Sequence, residues 1–157
     1  MKTHYLLSNN YKVIGWVILI LGLLTGIVFY KTILDGELLQ TNVLVLYNSD
    51  SLFDSNNGFF KIIENGILDE IVAILIIVGG LMVGFSKEKI EDEFIFQLRK
   101  TSLVWAIIFN YIVLMFAIVL VYNMTFFEVL IFNMFTPLLF FIIRFNFLKY
   151  KSRNYDE

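Results

Sequence analysis

The chain has 157 residues, of which 59% are hydrophobic and 17% are aromatic, and its formal net charge is −2. A soluble domain of this length could not bury so much apolar surface, so the composition excludes a soluble domain and indicates a membrane protein. There is no cysteine and only one histidine, His4. Disulfides, thiolate metal sites and histidine-based metal clusters are therefore excluded, and we expect no cofactor.

Four long apolar runs predict four membrane-spanning helices. They cover about residues 13–30, 67–85, 103–122 and 126–146. A helix needs about 20 largely apolar residues to cross a bilayer. The first, third and fourth runs meet or nearly meet that length. The second run reaches it only if the residues around Asp69 and Glu70 are included. We therefore expect one integral membrane domain over 1–157, of the all-α class, built as a four-helix transmembrane bundle.

The distribution of basic residues predicts the orientation of these spans. Of the twelve Lys and Arg residues, Lys31 and Lys61 fall on one side of the membrane. The other ten fall on the opposite side: Lys2, Lys12, Lys87, Lys89, Arg99, Lys100, Arg144, Lys149, Lys151 and Arg153. The positive-inside rule then places both termini and the 86–102 loop in the cytoplasm.

The long segment 31–70 is expected on the outer side. Leu38–Tyr47 is apolar and partly β-branched, so it is expected either as a short strand or on the membrane surface. Ser49–Gly58 is rich in turn-forming residues, and its carboxylates and amides suggest a loose cation site. Their spacing matches no calcium loop, so a solvated loop is the favoured interpretation.

Between the second and third spans, the pattern predicts a cytoplasmic amphipathic helix over 87–100. Ile90, Phe94 and Leu98 recur every four residues, and Ser86 is expected to cap the helix start. Glu91, Asp92 and Glu93 are three adjacent acidic residues. Because consecutive helical residues point about 100° apart, their carboxylates cannot converge on one ion. A solvated or partner-binding face is therefore favoured over direct chemistry. Its candidate residues are Glu88, Glu91, Asp92, Glu93 and Arg99.

Four polar residues lie within the predicted spans: Asn110, Asn133, Thr136 and Arg144. Polar groups in lipid are costly, so they mark either interhelical hydrogen bonds or a functional site. We expect hydrogen bonding in the 110–136 region. Arg144 is expected either to pair with Asp92 or Glu93 or to lie among lipid phosphates.

Other local patterns predict how the spans begin, bend and pack. Gly79 and Gly80 suit a closely packed interface, which predicts that the second span is the most central. Thr125 and Glu128 have the spacing of a capping box at the start of the fourth span. Pro137 should kink that span, with the Asn133 or Thr136 side chain satisfying the freed carbonyl of Asn133.

Part of the C-terminal half resembles a known family. The residues that carry the resemblance are Lys89–Ala106, Phe109-Asn-Tyr, Asn133-Met-Phe-Thr-Pro137 and Arg144-Phe-Asn. They are similar to small bacterial four-span integral membrane proteins. The resemblance implies the fold, the topology and a bacterial inner membrane, but no activity. Small membrane proteins can accompany cytosolic helix-turn-helix proteins, which is an argument by analogy alone.

These patterns lead to two functional hypotheses. The first is a non-enzymatic regulatory or accessory subunit that binds a cytosolic or membrane protein through its cytoplasmic helix. The alternative is a small transporter or lipid-handling protein with a polar site in the inner half of the bundle. The expected partners are the lipid bilayer and a protein, with a homo-oligomer left open. Acidic loops argue against nucleic-acid binding.

Overall fold

The computed structural model describes residues 6–30, 39–48 and 58–153. These residues form four helices and two strands, in the order α1 (Asn10–Val28), β1 (Gln40–Asn48), β2 (Gly58–Gly66), α2 (Leu68–Gly84), α3 (Glu93–Leu120) and α4 (Met124–Arg153). The chain is mostly helical, as predicted, but the two strands correct the all-α expectation. Segment 49–57, which includes most of the turn-rich stretch, lies outside the described residues, as do Lys2 and Lys31.

Three of the helices are long and apolar enough to cross a membrane. They are α1, α3 and the Met124–Ser152 part of α4, with mean hydropathies of 2.1, 2.6 and 2.1 over their most apolar windows. Between 11% and 17% of each window is buried within the protein, so most of these apolar side chains need a lipid environment. The second predicted span, 67–85, corresponds to α2, which is shorter, at 17 residues.

The structure divides into two compact units, one of Met1–Ile20 with Ile76–Glu157 and one of Leu21–Leu75. In the first unit, glycines let α2 approach its neighbours closely. A Cβ at Gly79 would lie 2.5 Å from the backbone nitrogen of Leu19 on α1. On the α4 side, Phe141 contacts Gly84, and it is fully buried. The glycines of α2 therefore serve close helix packing, as their spacing indicated.

The second unit contains an antiparallel hairpin that joins α1 to α2. Val43 lies opposite Ile63, and Leu44 opposite Ile62. The first strand agrees with the strand interpretation of 38–47, whereas the second was not predicted. Only Ile67 separates β2 from α2, and its N–H donates to the Leu39 carbonyl, 3.4 Å away. The base of the hairpin is thus fixed directly at the start of a helix.

The predicted helix over 87–100 is wrong in its first part. Residues between Gly84 and Glu93 are not helical, and α3 begins at Glu93 and continues without a break to Leu120. Asp92 caps this helix by accepting from the Ile95 N–H, 2.8 Å away. The hydroxyl of Ser86 donates back to the Met82 carbonyl instead of capping α3. Residues 85–92 are hereafter called the linker.

Helices α3 and α4 form a tight antiparallel hairpin. Asn123 lies between them with φ of 61°, a left-handed conformation that Asn tolerates better than most residues. Because α4 already begins at Met124, Thr125 lies inside the helix, and the predicted capping box does not start it. The helix is continuous through Pro137, and Thr136 Oγ1 donates to the Phe132 carbonyl rather than that of Asn133.

Candidate functional site

The linker is held against the segment that precedes α1. The Leu7 N–H donates to the Phe85 carbonyl, and the Lys87 N–H donates to the Leu7 carbonyl, both at 2.9 Å. These bonds form a parallel β-bridge between Leu7 and Ser86. Ser86 is consequently 1% exposed, so the start of the linker has a fixed position.

Two lysines from different helices bind Glu88 of the linker. Lys12 of α1 donates to Glu88 Oε1, and Lys149 of α4 donates to the same oxygen from 3.0 Å. The three side chains are between 12% and 24% exposed. Glu88 therefore connects the linker to both the first turn of α1 and the last part of α4.

Arg99 of α3 and Glu91 of the linker form a second, more buried ion pair. Nη1 and Nη2 of Arg99 donate to the two carboxylate oxygens of Glu91 at 2.5 and 3.2 Å, and Nη2 also reaches the Ser86 carbonyl at 3.3 Å. The Glu88 N–H donates to Glu91 Oε2 at 2.9 Å. Arg99 is only 3% exposed, and its Nε has no hydrogen-bond partner among the residues that the structure describes. A bidentate pair of this kind fixes the linker in one geometry.

One aromatic ring lies beneath all three cations. The charged groups of Arg99, Lys12 and Lys149 lie 5.2, 5.8 and 5.9 Å from the centroid of the Phe145 ring. Phe145 is 1% exposed, so these contacts lie in a partly desolvated region where cation–π attraction is strengthened. We call this group the ion-pair cluster: Lys12, Glu88, Glu91, Arg99, Phe145 and Lys149.

The chemistry of the ion-pair cluster is that of a structural connection. Each of the two carboxylates is bonded to at least one cation. Within the described residues, no three His, Asp or Glu side chains are grouped as a metal site. The cluster connects four chain segments to one another: α1, the linker, α3 and α4.

A cavity of about 200 Å³ lies beside the cluster. Its walls are Phe85, Phe96, Leu103, Arg99 and Lys100, and they are largely apolar. Lys100 is exposed, whereas Arg99 is buried by its bonds to Glu91. The lining of the cavity is thus largely apolar and includes two basic residues.

The structure separates the residues that the sequence proposed as one acidic face. Glu88, Glu91 and Arg99 belong to the ion-pair cluster, so they do not form a free surface. Asp92 is exposed and caps α3, and exposed Glu93 accepts from Gln97 at 3.0 Å. The physical reason is that leaving the helix over 87–92 lets two carboxylates reach the cations of other helices. Binding of a partner by these five residues stays a prediction.

The polar residues within the predicted spans are satisfied locally, with one exception. Asn110 and Asn133 exchange amide hydrogen bonds of 3.0 and 3.4 Å between α3 and α4. Arg144 does not pair with Asp92 or Glu93; its guanidinium lies 5.4 Å from the centroid of the Trp105 ring, and Nη1 has no partner within 6–30, 39–48 and 58–153. The expected hydrogen bond in the 110–136 region is present, and the proposed ion pair of Arg144 is wrong.

Lys12, Lys149 and Phe145 are parts of the site that sequence reasoning missed. In the sequence, the two lysines signalled only the side of the membrane on which the helix ends lie. The sequence nevertheless contained one signal for the pairing. Both lysines are predicted at the same membrane boundary as the carboxylates of the linker. Opposite charges at one membrane boundary are candidates for pairing, whatever their separation along the chain.

The pKa of Glu88 predicts how the cluster responds to acid. Burial alone raises the pKa of this carboxyl, but the hydrogen bonds and charges of Lys12 and Lys149 lower it by more, so it lies below the ordinary 4.5. The folded protein therefore favours the carboxylate. This stabilisation is present above pH 4.5 and is lost as the pH falls through the folded-state pKa.

The difference in Tm between wild type and Glu88→Gln should accordingly shrink below about pH 4.5. A difference in Tm that does not change with pH would contradict the pairing of the Glu88 carboxylate with the two lysines.

Comparisons with known proteins found no match. No family model matches the chain, and neither a curated protein nor a solved structure is similar to it. The function is therefore argued from the geometry of the ion-pair cluster, the linker and the helices.

Proposed function

We propose that this chain is a small multi-pass protein of the bacterial inner membrane that has no enzymatic activity. We propose that it acts as a regulatory or accessory subunit and binds a partner protein through its cytoplasmic linker. The proposal includes four spans, with α2 as the second, and both termini in the cytoplasm. The division of ten basic residues against two supports that orientation.

The exposure of the Ile90 side chain is the observation that most supports the proposal. Its side chain is 77% exposed, and it lies in the linker between Glu88 and Glu91, both of which are held by cations. Phe94, on the first turn of α3, is 53% exposed. A partner that covers these apolar side chains would bind a surface whose backbone is already ordered, which reduces the entropy cost of association.

Charged side chains surround this apolar pair and give the surface its chemical character. Lys87, Lys89, Asp92 and Glu93 are all exposed. Apolar residues ringed by mixed charges are typical of contact surfaces between proteins, where the rim sets specificity and the centre supplies the buried area. This mixed charge argues for a folded protein as the partner, and against a strongly basic or strongly acidic ligand.

The alternative of a transporter with a polar intramembrane site has less support. Asn110 and Asn133 bind each other, and Thr136 binds its own helix. Groups that are paired in this way hold helices together and do not coordinate a passing solute. The transport hypothesis would require these side chains to face a shared wet space.

The absence of cysteine from the chain makes a clean test available. Ile90→Cys would introduce a unique thiol on the proposed surface, and Tyr150→Cys a matched one. Tyr150 is 66% exposed and is next to Lys149, so it reports the same membrane side from outside the proposed surface. In native membranes, a thiol crosslinker should join position 90, but not position 150, to one protein species of defined mass.

The same variants test the orientation. A membrane-impermeant maleimide should label both thiols only after the cells are broken, since both are proposed to be cytoplasmic. Labelling of intact cells would overturn the topology. Identical crosslinked products from positions 90 and 150 would overturn the assignment of the linker as the partner surface.

A further inference from the structure

We infer that the cavity beside the ion-pair cluster binds an acyl chain of an anionic glycerophospholipid, whose phosphate is bound by Lys100. This site is independent of the proposed partner surface, which lies on the linker around Ile90. The inference depends on the membrane location of α3, on the walls of the cavity and on the unpaired cation at its rim.

The walls of the cavity select an apolar occupant. Phe85, Phe96 and Leu103 contribute carbon surface, and the two basic residues contribute their side-chain stems. The volume is about 200 Å³. An apolar cavity of roughly 150 Å³ stays dry in water and takes up apolar molecules. A water-filled site or a site for a free ion would instead need several polar partners, which these walls do not offer.

The rim of the cavity selects a negative charge. Lys100 is exposed, and within the described residues it has no ion-pair or hydrogen-bond partner. Arg99 retains an Nε–H that no acceptor in the described part of the chain satisfies. The ion-pair cluster contains three cations and two carboxylates, so the cluster itself has a net positive charge. A phosphate is the group that this excess positive charge attracts.

The spacing of these two features along α3 matches a phospholipid. Leu103 begins the apolar run 103–122, and Lys100 is three residues before it, which is about 4.5 Å along the helix axis. The charged rim therefore lies at the membrane boundary and the apolar walls lie just inside it. A phospholipid has its phosphate and its acyl chains in that same order, whereas a soluble phosphate would have no group for the apolar walls.

The test uses the full-length protein purified in detergent and native mass spectrometry. The probes are phosphatidylglycerol and phosphatidylcholine with identical acyl chains. The wild type should retain phosphatidylglycerol about five-fold more tightly, the effect of one cation near an anionic headgroup. Lys100→Gln should remove that preference. Lys89→Gln, which removes an exposed lysine outside the cavity, should leave it unchanged.

A second variant tests the acyl-chain part of the site. Leu103→Trp fills the cavity and should weaken retention of both lipids. Lys100 is a surface residue, so its variant should fold whether or not Leu103→Trp does. A preference that survives Lys100→Gln would overturn the phosphate assignment. Unchanged retention in a folded Leu103→Trp variant, or displacement of the lipid by free glycerol phosphate, would overturn the assignment of the cavity.

Discussion

A Glu91→Gln variant is expected to lose about 3 kcal/mol of its free energy of unfolding. Glutamine keeps the shape of the side chain and can still accept a hydrogen bond from Arg99. It cannot neutralise the guanidinium of Arg99, a residue that is 3% exposed and that pairs with no other carboxylate of the described residues. Leaving a buried charge without its partner costs about 3–5 kcal/mol, and the lower end applies because the Glu91 side chain is 18% exposed.

The measurement is the Tm of the detergent-solubilised protein, followed by the fluorescence of Trp16 and Trp105. The expected loss lowers the Tm by roughly 6–12 °C for a chain of this length. Glu93→Gln is the matched control, since Glu93 is exposed and is bonded only to Gln97; its Tm should stay close to that of wild type. A double variant, Glu91→Gln with Arg99→Met, should regain much of the loss. Equal Tm values for Glu91→Gln and Glu93→Gln would refute the structural role of the pair.

A Gly79→Ala variant is expected to destabilise the packing of α2 against α1 by about 2–3 kcal/mol. The added Cβ would lie 2.5 Å from the nitrogen and 2.8 Å from the Cα of Leu19. These are backbone atoms inside α1, so no rotamer change can relieve the overlap. The two helices would have to separate, and the contacts of the buried Leu19 side chain would be lost.

Gly80→Ala provides the comparison for that substitution. Its Cβ would also come within 2.5 Å of a neighbour, but the neighbour is Cδ2 of Leu138, the free end of a flexible side chain. Rotation of Leu138 can absorb the extra methyl group, and alanine is the better helix former by about 1 kcal/mol. The Tm should therefore fall by roughly 5–10 °C in Gly79→Ala and by much less in Gly80→Ala. The reverse order would show that α2 does not pack on α1 through Gly79.

The helices of this chain were predictable because lipid exposure imposes a simple requirement. A stretch such as 103–122 has few polar side chains, so its backbone groups must be bonded within the stretch itself, which is what a helix does. The linker was not predictable by the same argument. Ile90, Phe94 and Leu98 have helical periodicity, yet the pairing of Glu88 with two distant lysines and of Glu91 with Arg99 outweighs local propensity in this stretch.

The hairpin shows a second limit of sequence reasoning. The first strand, Gln40–Asn48, has the β-branched and apolar residues that favour a strand. The second strand reads GFFKIIENG, with a positively charged residue and an acidic one among its apolar positions, and it leads directly into α2. Pairing with β1 stabilises it, and pairing between segments is not visible in either segment alone.

The residues of the ion-pair cluster were predictable only in part. The five charged residues proposed from the linker and α3 include three of its members: Glu88, Glu91 and Arg99. Their partners Lys12 and Lys149 lie 76 and 61 residues from Glu88. Such distant pairings depend on how the helices pack, which hydrophobic patterns do not specify. Phe145 looked like one more lipid-facing aromatic residue for the same reason.

The sequence separation within the cluster also sets the order in which its bonds can form during synthesis. Lys12 is available as soon as Glu88 is made, and Arg99 follows Glu91 by only eight residues. Lys149 is made 61 residues after Glu88, a delay of about 3–12 s at 5–20 residues per second. The linker can therefore join α1 and the start of α3 while the remainder of the chain is still being translated. Lys149 is the last member of the cluster to be synthesised.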